Sequence, residues 1–260
     1  MIYLKTPEQI QTMRSSAELI SRTMGEIARW MQPGVTTRKL DTIAREYIHD
    51  NGGKPACLGY EGFPGTLCIE VNETVVHGFP SAYALREGDI VGIDTVVQKD
   101  GFMADMCYTF AIGEVAPEVM ELCRVTRQSL QVGIEACRAG HRIGDIAHAV
   151  QTYCESRGYG VVREMCGHGI GRDMHEAPEV PNYGRRGTGA VIRNGMCLCI
   201  EPMITLGKRN IVIENDGWQC RTRDRKPSAH YEHTLAILDG VTHQLTTFDY
   251  IHQAIPDRFI

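Results

Sequence analysis

The stretch VGIDTVVQKDGFMADMCYTF, residues 91–110, consists of two apolar runs joined by the polar tripeptide KDG. A short turn that contains Asp-Gly, placed between runs of strand-forming residues, predicts a β-hairpin. Each run carries one acid, Asp94 in the first and Asp105 in the second. A hairpin with an even loop pairs residues whose numbers sum to an odd value, and 94 plus 105 is odd. Both carboxylates should therefore lie on one face, directly opposite each other or one diagonal step apart.

Two acids at these positions are energetically unfavourable. Two carboxylates so close repel each other, and a charge in an apolar sheet is unfavourable without a counter-ion. The pair therefore indicates a bound cation. The alternative is that one or both acids lie at an exposed end of a strand, although their neighbours in the sequence are apolar.

A second pair of acids follows in the other half of the chain. Glu201 lies in the apolar run CLCIEPMI, and Glu232 opens the apolar run EHTLAIL. A weak internal repeat relates the two halves at a shift of 106 residues, since 140 − 34 is 106. The superposed positions are Gly34 and Gly140, Leu40 and Ile146, Ala44 and Val150, Tyr47 and Tyr153, and Gly52 and Gly158. The same shift carries Asp94 to within one residue of Glu201, so each half contributes an acid at an equivalent place.

Each half also has the same order of predicted elements. Helical spacing of apolar residues predicts helices over about 7–31, 36–50 and 116–138, and a fourth that ends at Gly158. Strand-like runs follow each helix pair: TLCIEV, DIVGIDTVV and MCYTFAIG, and then AVIRNG, MCLCIEPMITL and EHTLAIL. The pattern predicts one α+β catalytic domain, residues 1–260, with similar halves of about 1–113 and 114–260. Their strands should form an antiparallel sheet with the helices outside.

The stretch MCGHGIGRDMHEAP, residues 165–178, adds two histidines, His168 and His175. Four carboxylates and one imidazole form an oxygen-rich donor set with too much negative charge for one zinc ion, and no thiolate is expected to take part. Carboxylates shared between two divalent ions relieve the repulsion, and such a pair can activate water and polarise a carbonyl or phosphoryl oxygen. The glycines beside His168 favour it as the nitrogen ligand, because they let the backbone pass close to the ions.

The ordered set of Asp94, Asp105, His168, Glu201 and Glu232 resembles the metal ligands of the methionine aminopeptidases. The surrounding text is also similar to that family, over ACLGYEGFPGTLCIEVNETVVHGFP, VGIDTVVQKDGFMADMCYTF, GHGIGRDMHEAP, CIEPM and SAHYEHT. The resemblance covers nearly the whole chain and implies the pseudo-two-fold "pita-bread" fold, with a dinuclear site between its halves. The gap between Glu201 and Glu232 leaves no room for the helical insertion of the type II enzymes, so the chain resembles the short type I form.

The resemblance implies an activity and a division of the ligands. The enzyme would remove the initiator methionine from nascent chains when the second residue is small, by attack of metal-activated water on the first peptide bond. Asp94 and Asp105 would chelate one ion, and His168 and Glu201 would serve the other. Asp105 and Glu232 would bridge the two. Cobalt, manganese, iron and zinc all suit such a donor set.

By the same resemblance, three side chains take part in catalysis. His175 would hydrogen-bond the scissile carbonyl, and Glu201 or His77 would carry a proton to the leaving amine. Both histidines would also contact the substrate. A soft, apolar pocket would receive the methionine side chain. Its lining would be Cys57, Tyr60, Phe63, Cys68 and Trp218. A monovalent cation, sodium or potassium, would lie near Asn72 and Ser228.

Two positions depart from the family pattern. Met174 stands where many relatives carry an aromatic residue, and Glu61 stands where a histidine is common. Both changes should alter the rim of the substrate pocket.

Two other functions remain open at this point. An X-Pro peptidase of the prolidase type shares the five ligands but usually carries a large additional N-terminal domain. A binding protein that kept the fold and lost catalysis would be expected to lose ligands first, whereas all five are present.

Composition limits the expected partners and location. The net charge of −5 argues against binding of nucleic acid, and the basic run RTRDRK at 221–226 is interpreted as a solvated loop. The chain has no apolar run of 18 residues, so no membrane span is expected. The N-terminal stretch MIYLKTPEQIQTM turns polar at once and does not resemble a signal peptide, so a cytoplasmic location with ten reduced cysteines is expected. The resemblance adds a monomeric state and the ribosome as a candidate partner.

Overall fold

The computed structural model describes all residues from 1 to 260, with five helices. They are α1 Pro7–Ala28, α2 Thr37–Asp50, α3 Pro117–Ala136, α4 Ile143–Glu155 and α5 Asp249–Ala254. Single 3-10 turns lie at Tyr60–Gly62 and Pro256–Arg258. The second helices of the two halves start 143 − 37 = 106 residues apart, as the internal repeat predicts. None of the helices is both long and apolar enough to span a membrane.

Fifteen strands complete the fold. In the first half they are β1 Lys54–Pro55, β2 Cys68–Val71, β3 Thr74–Val76, β4 Ile90–Lys99 and β5 Phe102–Ala111. In the second half they are β6 Gly160–Val161, β7 Gly167–Gly169, β8 Glu176–Val180, β9 Cys197–Ile200, β10 Met203–Thr205, β11 Ile211–Ile213, β12 Cys220–Thr222, β13 Ser228–His230, β14 Glu232–Leu238 and β15 Val241–Gln244. The predicted hairpin is confirmed as β4 and β5.

The main sheet has nine strands and joins the two halves of the chain. Its order is β1-β4-β5-β14-β9-β7-β8, with β2 also on β4 and β15 also on β14. Every pairing in it is antiparallel. The halves meet between β5 and β14, where Glu232 lies opposite Cys107 and His233 opposite Met106. Two smaller sheets have the orders β13-β10-β6 and β11-β12-β3. The predicted α+β architecture is therefore confirmed.

The hydrophobic core lies between the sheet and the helices that cover it. One cluster of 53 buried apolar residues draws on both halves, so neither half encloses a main core of its own. Helix α1 packs against β4, β5 and α5, through the apolar face that its helical spacing predicts. Burial of each such side chain contributes about 1.5–3 kcal/mol relative to exposure.

The beginning of α1 follows from its sequence. The Thr6 hydroxyl accepts a hydrogen bond from the Gln9 backbone N–H, and the Gln9 side chain accepts one from the Thr6 N–H. This reciprocal capping box satisfies two N–H groups that a helix start otherwise leaves without partners, and Pro7 needs none.

Removal of that cap should destabilise the fold by a measurable amount. We expect Thr6→Ala to lower the free energy of unfolding by about 1 kcal/mol, because the Gln9 N–H loses its acceptor. Urea unfolding of the two proteins measures the difference. Thr42→Ala in α2 is the matched control, since that hydroxyl bonds only the Arg38 carbonyl within its own helix. Equal losses in both variants would mean that the cap has no special role.

One predicted strand is wrong. The run AVIRNG, residues 190–195, forms only an isolated bridge between Val191 and Arg142. Its backbone is used by the loop before α4: Ala190 O accepts from Ile143 N, and Ile192 O accepts from Gly140 N. The run begins with apolar residues, as a strand would, but it forms a loop that packs against the loop before α4. Helix α3 also ends sooner than predicted, at Ala136.

Candidate metal centre and substrate cavity

The register of the hairpin places Asp94 and Asp105 together. Asp94 lies opposite Cys107, and Asp105 lies opposite Val96. The two carboxylates thus share one face and are one diagonal step apart, as the parity of their numbers predicts.

The acids of the second half lie at the same site, on the other side of the pairing between β5 and β14. Glu201 follows the last residue of β9, and Glu232 is the first residue of β14. Because Glu232 lies opposite Cys107, its carboxylate joins the face that carries Asp94 and Asp105. The repeat therefore brings the four acids to one site between the halves.

His168 lies among these acids. Its Nε2 is 3.6 Å from Asp105 Oδ2 and 3.6 Å from Glu201 Oε1. Its Nδ1 lies 2.9 Å from the Gly169 carbonyl oxygen, which fixes the ring orientation. Gly167 and Gly169 permit the close approach, since a Cβ at either would lie within 2.4 Å of a backbone oxygen. His168 is thus held with Nε2 towards the acids.

The acids lack the partners that buried carboxylates normally have. Asp105 and Glu232 are only 5% and 2% exposed. Asp94 is half-buried and lies in the middle of β4, so the alternative that Asp94 or Asp105 lies at an exposed strand end is wrong. Asp105 Oδ1 and Glu232 Oε1 are buried without any hydrogen-bond partner. Two orphaned carboxylate oxygens at one place fit a divalent cation, which takes oxygen ligands and neutralises their charge.

The electrostatics of the site agree with this interpretation. Burial, followed by the nearby Asp105, raises the pKa of Glu232 and of Asp94 well above the ordinary range. Burial also raises the pKa of Glu201 to about 7, although His168 and His230 oppose it. Burial alone would lower the pKa of His168, but Asp105 and Glu201 raise it to about 9. Without cations, the protein therefore resists full ionisation of its own acids.

One thiol also reaches the site, contrary to the expectation that none would. The Cys199 sulfur and ligand atoms of Asp105, His168 and Glu232 all lie within 4.8 Å of one another. Cys199 lies in β9 two residues before Glu201, and this spacing was the available signal. Burial and then Glu232 raise the pKa of the thiol well above its usual value, so the sulfur keeps its proton in the metal-free protein.

A cavity of about 350 Å³ opens beside the acids. The five residues expected to line a methionine pocket all border it, together with His77, His175 and two of the acids, Asp94 and Asp105. Its lining is Cys57, Tyr60, Glu61, Phe63, Cys68, His77, Asp94, Val96, Asp105, Met174, His175 and Trp218. Met174 and Glu61, which depart from the family pattern, both lie in this wall.

The two histidines of the cavity have an environment unlike that of His168. Partial burial and then His168 lower the pKa of His175, and burial and then His230 lower the pKa of His77 to about 4. The Tyr60 hydroxyl lies 3.1 Å from His175 Nδ1, so the other nitrogen is free for a ligand. Both imidazoles are therefore neutral at pH 7, and each can donate or accept one hydrogen bond.

Asn72 and Ser228 lie next to each other, since the Ser228 N–H donates to the Asn72 carbonyl over 2.9 Å. The Asn72 side-chain amide also donates to Asp89 Oδ1 over 2.9 Å. The Ser228 hydroxyl is buried and has no hydrogen-bond partner. The structure therefore places a hydroxyl oxygen without a partner, that of Ser228, beside Asn72.

Two further buried residues approach Glu201 and were not predicted from the sequence. Glu70 and His230 are each 2% exposed, and they form a buried hydrogen-bonded pair with 3.1 Å between Glu70 Oε1 and His230 Nδ1. His230 lies two residues before Glu232 in SAHYEHT, and this spacing was the only signal in the sequence.

Comparisons with known proteins agree with this geometry. The profile of Metallopeptidase family M24 matches residues 11–239. Over 246 residues the chain is 44% identical to the methionine aminopeptidase of Clostridium perfringens, with 95% of this chain and 99% of that protein covered. It is 43% identical over 249 residues to the methionine aminopeptidase of Escherichia coli K12, with 94% of each covered.

Solved structures give the same result. The crystal structure of methionine aminopeptidase from Rickettsia prowazekii is similar with a TM-score of 0.94 at 38% identity, covering 95% of this chain and 100% of that one. Prolidase from Pyrococcus furiosus is similar with a TM-score of 0.77 at 19% identity, covering 94% of this chain and 65% of that one. The second likeness shows a shared fold alone.

Proposed function

The chain belongs to metallopeptidase family M24 and, within it, to the methionine aminopeptidases, and we propose that it removes the N-terminal methionine of peptides. The enzyme is a hydrolase, and the predicted pita-bread fold is confirmed by its solved relatives. Nascent proteins with a small second residue are the proposed substrates. The observation that carries the proposal is the group of orphaned acids and one imidazole at the edge of an apolar cavity.

The proposed metal ligands are Asp94, Asp105, His168, Glu201 and Glu232. Divalent ions held by these side chains would activate a water molecule and polarise the scissile carbonyl group. We propose two ions, with Asp105 and Glu232 shared between them, because four carboxylates exceed the charge of one ion. Cobalt, manganese, iron and zinc remain the candidate metals.

The other polar residues of the cavity would act on the substrate directly. A neutral His175 can donate a hydrogen bond from the nitrogen that Tyr60 leaves free, to the carbonyl oxygen as negative charge develops on it. Glu201, whose Oε1 lies 3.6 Å from His168 Nε2, would take a proton and pass it to the leaving amine. His77 is placed in the same cavity as the alternative carrier.

The apolar part of the cavity suits a thioether side chain. Phe63 and Trp218 meet edge to face with 5.2 Å between ring centroids, beside the thiols of Cys57 and Cys68. Methionine sulfur makes favourable contacts with aromatic edges, and an unbranched side chain adapts to such a slot. These contacts support methionine as the residue that is removed.

Trp218→Ala tests the pocket. We expect a rise of about tenfold or more in KM for Met-Ala-Ser, because loss of one apolar wall costs about 1–3 kcal/mol of binding. Steady-state kinetics measure it. Trp30→Ala is the control, since Trp30 is 38% exposed and lies just beyond α1, outside the cavity lining. An unchanged KM in the Trp218 variant would place the methionine side chain elsewhere.

The proposal also covers domain organisation, a monovalent cation, location and partners. We propose that residues 1–260 act as one catalytic domain, since a single main core draws on both halves. A monovalent cation, sodium or potassium, is proposed at Asn72 and Ser228, where a buried hydroxyl has no partner. The ten free cysteines support a reducing compartment, the cytoplasm. The ribosome and a monomeric state are proposed from family membership alone.

An X-Pro peptidase is the main rival. The solved prolidase from Pyrococcus furiosus shares 19% identity with this chain, which supports the fold but no activity. Hydrolysis of Met-Ala-Ser, Met-Leu-Ser and Ala-Pro-Ser by metal-free protein, with each metal added separately, distinguishes the two. We expect Met-Ala-Ser to be cleaved fastest and only with a divalent metal. Faster release from Ala-Pro-Ser would overturn the proposed function.

A further inference from the structure

Glu70 and His230 form a buried pair beside the proposed metal centre. Glu70 lies on β2 and His230 ends β13, so two different sheets bring them together. His230 Nδ1 lies 3.1 Å and 3.2 Å from the two Glu70 oxygens. The Cys107 sulfur supports both, at 3.9 Å from Glu70 Oε2 and 3.5 Å from the His230 carbonyl oxygen. One side of the imidazole is therefore firmly held.

The other side of the imidazole faces Glu201. His230 Nε2 is buried and has no hydrogen-bond partner, and Glu201 Oε2 lies 3.7 Å away. The second oxygen of Glu201, Oε1, lies 3.6 Å from His168 Nε2. The carboxylate of Glu201 is thus placed between two imidazoles, with one oxygen towards each.

A role in folding alone does not account for this pair. A buried polar nitrogen without a partner is unfavourable, and a buried carboxylate is more so unless its charge is compensated. Apolar residues of similar size would fill the same space without these costs. Retention of the pair needs a reason in the adjacent site, and Glu201 is the group that Nε2 approaches.

We propose that Glu70 and His230 are positioning residues for Glu201: Glu70 fixes the imidazole through Nδ1, and Nε2 then holds one carboxylate oxygen of Glu201 so that the other faces His168. This inference rests on the proposed function, in which Glu201 is a metal ligand and proton carrier. An imidazole has one nitrogen on each side of the ring, so it can link two carboxyl groups.

Three variants test the pair in the metal-loaded enzyme. His230→Leu removes the donor and keeps an apolar side chain, and His230→Gln restores a donor. Glu70→Gln weakens the hold on the imidazole without removing it. His233→Gln is the matched control. His233 is also buried, but it lies on the face of β14 opposite to Glu232 and bonds Thr246 and Gln244. Each protein is assayed with Met-Ala-Ser, and its affinity for added Mn²⁺ is measured by calorimetry.

The expected result is a fall in kcat with little change in KM. Loss of a group that orients a metal ligand typically costs about 10–100-fold in activity or metal affinity. We expect such a fall for His230→Leu, a smaller one for Glu70→Gln, and recovery of most of the rate in His230→Gln. His233→Gln should leave kcat and Mn²⁺ affinity close to the original values.

A second measurement needs no metal and no turnover. An imidazole N–H bonded to a buried carboxylate gives a strongly downfield proton NMR signal, so the metal-free protein should show one such signal from His230 Nδ1, which lies 3.1 Å from Glu70 Oε1. Glu70→Gln should shift this signal strongly, and Glu201→Gln should shift it less, because Glu201 Oε2 lies 3.7 Å from the other nitrogen of the same ring. This readout separates the inference from the proposed function: a protein inactive on Met-Ala-Ser that shows this response loses the function and keeps the pair.

Several outcomes would overturn the positioning role. One is an unchanged kcat and Mn²⁺ affinity in His230→Leu; another is a signal unaffected by Glu201→Gln. A loss of the same size in His233→Gln would show that any buried imidazole matters equally. A third bound ion that disappears in Cys107→Ser would instead make Glu70, Cys107 and His230 a separate metal site, since their ligand atoms lie within 4.8 Å of one another.

Discussion

Asp105→Asn is expected to lower kcat/KM for Met-Ala-Ser by a factor of about 10³ or more and to prevent tight binding of divalent ions. Asp105 lies one diagonal step from Asp94 and within 3.6 Å of His168, so its carboxylate is central to the donor set. The fold should survive, because the backbone N–H and carbonyl of Asp105 are both bonded to the Thr234 hydroxyl. Activity assays and calorimetric metal titration measure the two losses.

In the metal-free protein, by contrast, replacing an acid of the site should increase stability. Burial raises the pKa of Glu232 in the folded state, so the folded protein disfavours the charged carboxylate that the unfolded chain accepts. At any pH above the ordinary carboxyl value this costs stability, and Glu232→Gln removes the cost. We expect the metal-free variant to melt a few degrees higher, since 1 kcal/mol corresponds to about 2–4 °C in a chain of this size.

The combination of these effects is diagnostic. Glu46→Gln on the exposed face of α2 serves as the control and should alter neither activity nor melting temperature. Retained turnover in Asp105→Asn, or a metal-free Glu232→Gln protein that melts well below the original, would contradict the proposal that these acids exist to hold cations.

His175→Ala should cost about 10²–10³ in kcat while both metal stoichiometry and fold persist. His175 lies outside the acid cluster, and its ring centroid is 4.5 Å from that of His168. Tyr60 occupies its Nδ1, so only the other nitrogen can reach a substrate. The lost contact forms mainly as charge develops on the carbonyl oxygen, so kcat should change more than KM.

The comparison with His168→Ala separates the roles of the two histidines. His168→Ala should lose metal as well as activity, because its Nε2 faces Asp105 and Glu201. His148→Ala, on the exposed face of α4, should change nothing. If His175→Ala released metal and His168→Ala kept it, the assignment of ligand and substrate contact would have to be reversed.

Much of this site could be predicted from the sequence because its signals are local. The parity of a short hairpin placed Asp94 and Asp105 on one face, and the 106-residue repeat marked Glu201 as the equivalent of Asp94. Helix caps and apolar spacing predicted the helices of each half closely. The family resemblance was needed to separate His168 from His175, since both lie in one glycine-rich stretch.

The features that sequence reasoning missed depend on pairing between distant segments. Cys199 has the apolar neighbours of a core residue, and only the register of β9 with β14 brings its sulfur to the acids. His230 reaches Glu70 across 160 positions, which no local pattern records. The strand predicted for AVIRNG is absent for the same reason, because its residues pair with a loop and not with another strand.

The pairing of β5 with β14 makes the centre a product of the finished chain. Its acids come from positions as far apart as 94 and 232, and the two halves join in the main sheet through the register at Cys107 and Met106. A half-synthesised copy therefore contains a complete hairpin with two uncompensated acids, but no working centre. During synthesis the proposed site therefore lacks its last acid until residue 232 has been made, and no activity is expected before that point.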